Sequence, residues 1–233
     1  MDTQTLLPLI LRAEQDGLVK RTFRRLDPER QQALIDAVLA EAAEVGPDQI
    51  RVQAIARRAG AAVGSMYQYF PDREKLLEFA IRLCTAAWVQ IFTQYMPVLA
   101  AMPLREGLKA YLLGGLEMSE TERGVVAFFG RAAYQGAQGK LRAAIEPIAE
   151  QMQAGVREML VQAQVRGEIR AGIDLEASAR AVNTFLIAVG DGQIFPYLNT
   201  YYRLSDADMP FERVLDAAVE MIVNGLGTGE RHD

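Results

Sequence analysis

The chain has 233 residues, half of them apolar and 24% charged, with 25 basic against 30 acidic side chains and a formal net charge of -5. That balance, with a pI near 5.1, excludes a uniformly cationic coat for nucleic acid but leaves room for a local basic patch. One cysteine, Cys84, and one histidine, His232 next to the C-terminal residue, exclude an internal disulfide and remove most metal-site, Ser-His and Cys-His readings, so no catalytic residue, metal or cofactor is expected.

At the start, Met1-Asp2-Thr3 carries no cationic targeting segment, and the apolar run Leu6 to Leu11 is short and broken by Pro8. No stretch is expected to reach the roughly 20 apolar residues that cross a bilayer, which points to a cytoplasmic protein without a membrane partner. Asp27-Pro28 is a good helix start, a side-chain acceptor followed by a fixed φ. The helix it opens carries Leu34, Ile35, Val38, Leu39 and Ala42 on one face, and Gly46-Pro47 stops it. A shorter helix fits Val52 to Ala59, ended by Gly60, and a third fits Val63 to Tyr69, closed by Pro71. Asp72 can cap a long apolar helix that includes Leu76, Leu83, Trp88 and Phe92, with Pro97 and Pro103 punctuating its end. Helical spacing continues over 104–118, 121–135, 141–166, 174–192 and 208–226, and Pro147 implies a kink or a later start in the third of these. No run alternates as a strand, so the expected class is all-α.

Residues 1–78 hold 11 basic and 12 acidic side chains, and residues 79–233 hold 14 and 18. Within the first part Lys20, Arg21, Arg24 and Arg25 cluster, and Arg51, Arg57, Arg58, Arg73 and Lys75 surround the short helices. The expected organisation is an extension over 1–27, either a basic arm or flexible, a small helical domain over 28–78, and a larger helical domain over 79–233. One long helix joins the last two.

The informative segment runs from Val52 to Phe70. Ala56 is small where two helices must cross closely, and Gly60 falls four residues later, where a tight turn wants φ > 0. Ile55, Met66 and Phe70 are spaced to form the core between the helices. Such a helix-turn-helix offers its second helix to a major groove while the first braces the backbone. Tyr67-x-Tyr69-Phe70-Pro71-Asp72-Arg73-Glu74-Lys75 then puts two phenols and two cations at the end of that helix, the usual means of gripping phosphates.

Together with Ile55-Ala56-x-x-Ala59-Gly60, this segment closely resembles the DNA-binding domain of the TetR family of transcriptional regulators over about residues 28–80. The resemblance implies that Arg51, Tyr67, Tyr69 and Arg73 contact phosphates, and that Val63, Gly64, Ser65 and Gln68 meet base edges. Gln68 suits an adenine edge and Val63 a thymine methyl. Two departures stand out: Ala61-Ala62 replaces the usual Val-Ser, removing a side-chain cap, and Ile50 stands where Thr is common. Other readings stay open for these residues. Val63 suits core as well as DNA, Tyr67 and Tyr69 could be ordinary half-buried aromatics, and Arg57 and Arg58 fit a solvated face. Arg24 and Arg25 could enter a minor groove, or Leu6 to Leu11 could pack on the body.

For residues 79–233 the resemblance implies a ligand-binding and dimerisation domain, a homodimer on a pseudo-palindromic double-stranded operator, and release when a small, largely apolar effector binds. Trp88, Phe92, Tyr111, Phe128, Phe129, Tyr134 and Phe185 are the candidates to line a pocket, against the alternative that they are core. The helices at 174–192 and 208–226 are the candidates for the dimer interface, with Ala177, Ala181, Ala188 and Gly192 permitting close approach. The connection from Gln193 to Pro210 would cover the pocket or the partner. A repressor is therefore favoured over two alternatives: a helical enzyme, whose carboxylates Glu117, Glu120 and Glu122 read better as a helix start, and a ligand carrier with a silent head. Gly225-x-Gly227-x-Gly229 resembles a phosphate loop only superficially.

Overall fold

The computed structural model describes residues 3–46, 49–114, 120–134 and 139–228, with the side chains of 3–5, 120–123 and 140 left aside. Pro47, Glu117, Gly229 and His232 lie outside the described residues, as do the side chains of Glu120 and Glu122. Among the described residues twelve α-helices follow one another: α1 Thr3–Gln15, α2 Arg21–Arg24, α3 Pro28–Val45, α4 Val52–Arg58, α5 Val63–Tyr69, α6 Arg73–Ala101, α7 Leu104–Gly114, α8 Glu120–Tyr134, α9 Gly139–Val165, α10 Leu175–Ile194, α11 Pro196–Tyr202 and α12 Phe211–Leu226. An isolated antiparallel bridge, Ile169 to Gly227, is the only β pairing among the described residues. The fold is all-α.

Local chemistry explains the boundaries. Asp27 accepts from the Arg30 amide at 3.0 Å and Pro28 takes the first position of α3. Gly46 closes α3 at φ 87°. Asp72 accepts from the Lys75 amide at 2.8 Å and starts α6. Asp174 does the same for α10 through the Ala177 amide at 3.0 Å.

Prolines act less sharply than their spacing suggests. α6 runs through Pro97 to Ala101, with Leu99 and Ala100 buried beyond it. α9 runs through Pro147 from Gly139, so it makes no later start. A proline removes one amide and crowds one carbonyl, and packing on both sides can outweigh that loss. The stretch after Gln193, read as a connection, contains α11, whose first turn Pro196 favours.

Two compact units emerge, Met1–Gln90 with Ser119–Ile148, and Ile91–Met118 with Ala149–Asp233. The sequence of α6 is continuous through the division. In the first unit Phe23, Phe70 and Phe79 form a ring cluster with centroids 5.4–5.6 Å apart. Each is essentially fully buried, worth about 1.5–3 kcal/mol per side chain by area. α1, α2 and the link between them belong to this core through Leu6, Ile10, Leu18, Val19 and Phe23, so the Leu6 to Leu11 run packs on the body by Leu6 and Ile10 while Leu7 and Leu11 stay exposed. α8 crosses α3 at Gly124 so closely that a Cβ there would collide with that of Ala43. Cys84 is fully buried in α6, and burial pushes its thiol up to about 12.

In the second unit α7 packs on α12 through Leu104, Leu108, Leu215 and Val219. Lys109–Asp216 at 2.5 Å and an Arg105–Glu220 ion pair border that contact. Glu168 accepts from the Leu104 amide at 2.6 Å and pairs with Arg166, which tethers the start of α7 to the end of α9.

One expectation is corrected by α6. Its 29 residues include a window of mean hydropathy 1.4 with few charges, long and apolar enough to cross a membrane. Leu76, Phe79, Ala80, Leu83 and Cys84 are instead buried in the protein core.

Candidate nucleic-acid interface

α4 and α5 are joined by a turn that needs glycine. Gly60 sits at φ 63° with nothing within 4 Å of where a Cβ would be, so the requirement is conformational rather than steric. The Ala61 amide donates back to the Ala56 carbonyl at 2.8 Å, and Ala56 is fully buried where the two helices meet. Ile55, Met66 and Phe70 are all buried, as their spacing requires, and Phe70 packs on Phe23 and Phe79.

The turn sets which side of α5 faces outward. Val63, Gly64, Tyr67 and Gln68 are exposed, two adjacent pairs set four residues apart and so one above the other on the helix. Val63 is 38% exposed and Tyr67 49% exposed, so Val63 is not core. Ser65 is half-buried beside them. Tyr69 is half-buried too, its ring edge-on to Phe23 at 6.4 Å, with part of its surface still reaching solvent. The first helical turn of α5 has Ala62 at its cap position with no side-chain hydrogen bond. Arg73 is exposed at the start of α6 and makes a long contact from Nη2 to the Ile50 carbonyl, 3.4 Å. Lys20, Arg21, Arg25 and Arg57 are exposed as well.

Arg51 stands at the cap position of α4, and its Nε donates to Glu41 Oε1 at 2.8 Å. Glu41 is completely buried in α3; its other oxygen accepts from Arg58 Nε at 3.4 Å, and Arg58 also pairs with Glu44. The Glu41 hydrogen bond and charge raise Arg51 above its ordinary guanidinium value. The side chain of Arg51 is nonetheless 57% exposed, so one carboxylate orients a guanidinium whose body still faces water. Arg58 is exposed and at the same time an ion-pair partner of Glu41 and Glu44.

The seven pocket candidates divide between the two units. Phe92 alone lines a cavity of about 390 Å³ between the C-terminal part of α6 and α9, with Met96, Ala100, Gln151, Gly155 and Glu158. Tyr111 stacks edge-on against Phe92 at 6.1 Å. Burial, with the Asp191 charge behind it, pushes the Tyr111 phenol well above its ordinary value. Phe185 is half-buried in α10. Trp88 is buried in the first unit, where Phe128 and Phe129 pack on each other at 5.0 Å, and Tyr134 is 46% exposed. Trp88, Phe128, Phe129 and Tyr134 thus belong to the first unit, and Phe92, Tyr111 and Phe185 to the second.

Residues 34–80 match the family model described as "Bacterial regulatory proteins, tetR family". The head is a TetR-family domain. The chain is 32% identical over 95 residues to the HTH-type transcriptional regulator BetI of Yersinia pestis (strain Pestoides F), covering 41% of this chain and 48% of that one. It is 42% identical over 53 residues to the HTH-type transcriptional repressor KstR of Mycolicibacterium smegmatis, covering 23% and 26%. The aligned region thus spans about half the length of BetI and a quarter of KstR. The transcriptional regulator FadR of Bacillus subtilis, solved in complex with stearoyl-CoA, superposes with a TM-score of 0.55 at 20% identity, over 84% of this chain and 98% of that one. That likeness extends the shared fold beyond the TetR-family head.

The contacts of three residues went unread in the sequence. Glu41 follows Leu34 and Val38 on the apolar stripe of α3, and a carboxylate on such a stripe signals a buried partner, here Arg51 and Arg58. Lys20 and Thr22 bond to the last turn of α5 from 46 and 47 residues away, and no spacing rule connects them.

Proposed function

We propose that the chain is a DNA-binding transcriptional regulator, a homodimeric repressor that leaves a pseudo-palindromic operator when a small apolar effector binds. The exposed face of α5, with a phenol and a cation at its end, carries this reading. In it, Tyr67, Tyr69, Arg73 and Arg51 grip phosphates, while Val63, Gly64, Ser65 and Gln68 address base edges. The reading head is residues 28–78, and residues 79–233 bind the effector and the second copy. The curated relatives are regulators, so no enzymatic step is assigned.

The ligand of FadR is an acyl-CoA, and the cavity beside Phe92 offers an apolar wall of Met96, Pro97 and Ala100 with Gln151 and Glu158 at its rim. Its volume falls within the range of small-molecule sites, roughly 300–1,000 Å³. Of the aromatic candidates, Phe92 and its neighbour Tyr111 are retained for the effector site. Coupling would run along α6, because that one helix carries Arg73 at its start and Phe92 near its end. Effector binding would tilt it and change the separation of two heads that must match half-sites one or more helical turns apart.

The test is binding of the purified protein to a few hundred base pairs upstream of its own gene, at low and physiological salt, against excess unrelated DNA. Tight, salt-sensitive binding that is lost in Tyr67→Ala/Arg73→Ala is expected. Arg73→Ala alone should weaken binding across sequences, and Gln68→Ala should change preference at one base-pair position by about 1–3 kcal/mol. Absence of binding both to that region and in a selection from random DNA would refute the reading.

A further inference from the structure

The reading helix α5 is short: seven residues, with no side-chain cap at Ala62. Its own hydrogen bonds are therefore few, and both ends leave backbone groups without helical partners. At the C-terminal end those groups are supplied from outside the helix-turn-helix. Lys20 Nζ donates to the Tyr67 carbonyl at 2.7 Å, the Thr22 hydroxyl donates to the Gln68 carbonyl, and the Lys20 amide donates to the Tyr69 carbonyl at 2.7 Å. Three successive carbonyls of the last turn are thus satisfied by Lys20 at the cap of α2 and Thr22 in its first turn. A lysine at this end also faces the negative end of the helix dipole.

The donor stretch is itself fixed. Phe23, next to Thr22, is fully buried between Phe70 and Phe79. The Phe23 carbonyl accepts from Gln31 Nε2 of α3 at 3.0 Å. Arg24 pairs with Glu14 of α1, and Asp16, just past α1, pairs with Arg82 of α6 at 2.5 Å. The extension before residue 27 is consequently folded onto the body rather than a loose arm in this structure. Its helices are anchored on α3 and α6, and it delivers its donors to α5.

We infer that the N-terminal extension is a splint for the reading helix, with Lys20 and Thr22 as positioning residues that hold the end of α5 where Tyr67 and Gln68 address DNA. The inference rests on the proposed DNA-reading function for its consequence, but its structural half can be tested without DNA. A helix whose last turn is held adopts one orientation before it meets a duplex, and binding then loses less entropy in ordering it. Specific recognition depends on that order more than phosphate attraction does, because base contacts are the geometrically demanding ones.

The experiment uses the full chain as Thr22→Val, Lys20→Met and the double variant. Hydrogen exchange of the amides from Met66 to Phe70 is followed beside those of α3, together with affinity for operator and unrelated DNA over a salt series. In the double variant, exchange over Met66 to Phe70 is expected to speed up roughly five- to tenfold with α3 unchanged, as loss of two exposed side-chain hydrogen bonds, each at the lower end of the usual net contribution, allows. Operator affinity should fall by a similar factor, while affinity for unrelated DNA is kept in Thr22→Val. Thr22→Val removes no charge, so it separates positioning from phosphate attraction. Unchanged exchange at α5 would overturn the splint. So would a lower salt slope in Lys20→Met with unchanged exchange, because Lys20 would then act as a phosphate contact. If the parent binds no DNA while the exchange result holds, the splint stands and the proposed function fails.

Discussion

Two glycines in the interiors of helices meet opposite surroundings, and alanine at each turns that contrast into a measurement. At Gly124 in α8 an added Cβ would collide with Ala43 Cβ and lie 2.6 Å from its Cα and 2.8 Å from its carbonyl oxygen. Carbon atoms prefer about 3.5–4.0 Å, so α8 and α3 would have to part by about 1 Å. Both sides of that contact are helix backbone or atoms fixed to it. At Gly155 in α9 the added Cβ would meet Met96 Cε at 2.5 Å, Cγ at 2.7 Å and Sδ at 3.1 Å, all on a flexible thioether chain. Each substitution gains about 1 kcal/mol of helix propensity. Overpacking against backbone should take about 3 kcal/mol at Gly124, the upper end for such changes. Gly124→Ala is therefore expected to be destabilised by about 2 kcal/mol net, lowering Tm by about 4–8 °C. Gly155→Ala should keep the parent's Tm or exceed it slightly, with Met96 turned further into the cavity. Thermal unfolding of the two variants side by side is the assay. A Gly124→Ala protein as stable as Gly155→Ala would refute the tight α3–α8 crossing and the reasoning built on it.

Three further outcomes are expected. Arg58→Ala should lower stability by about 1–2 kcal/mol in denaturant unfolding, because a buried carboxylate loses one of two partners, whereas Glu41→Leu should be neutral or stabilising. Glu41→Leu should still weaken DNA binding, since Arg51 loses the carboxylate that orients it, and unimpaired binding would count against that role. Gly60→Ala should be destabilised by about 1–2 kcal/mol from the left-handed conformation alone, with Gly60→Asn milder, as read by the denaturation midpoint. The Arg105 hydrogen bond, then that of Asn224, holds Glu220 below its ordinary value of 4.5. A lowered carboxylate contributes stability above its unfolded value and loses it as the pH falls through the folded one. Tm should therefore drop more in the parent than in Glu220→Gln as pH falls from 4.5 downward, and high salt should erase the difference.

What was legible in the sequence was whatever is local. Asp27-Pro28, Gly60 and Asp72 each act within four residues of themselves, and each forms the cap or turn that its chemistry calls for. The outward face of α5 was legible apart from Val63, whose place depended on the angle at which α4 and α5 cross. The contacts of Glu41 with Arg51 and Arg58, and of Lys20 with Tyr67, depend on chain returning across 10 to 47 residues. α11 was hidden because none of its residues is buried, so no apolar stripe announces it. For the aromatic candidates the reason is different. Spacing marks a residue as facing inward, and in a helical protein with two cores it does not say which interior it faces.

Cys84 gives the molecule a built-in clock. Its thiol is the only one in the chain, it lies wholly inside the first unit, and its ionisation is pushed to about 12. At neutral pH the reactive thiolate is scarce even where a reagent could reach it. Alkylation therefore proceeds at the pace at which the core around α6 opens. Any compound or duplex that steadies that core slows the reaction, so mass spectrometry of one modified residue can rank effectors and operators with neither a fluorophore nor a tag.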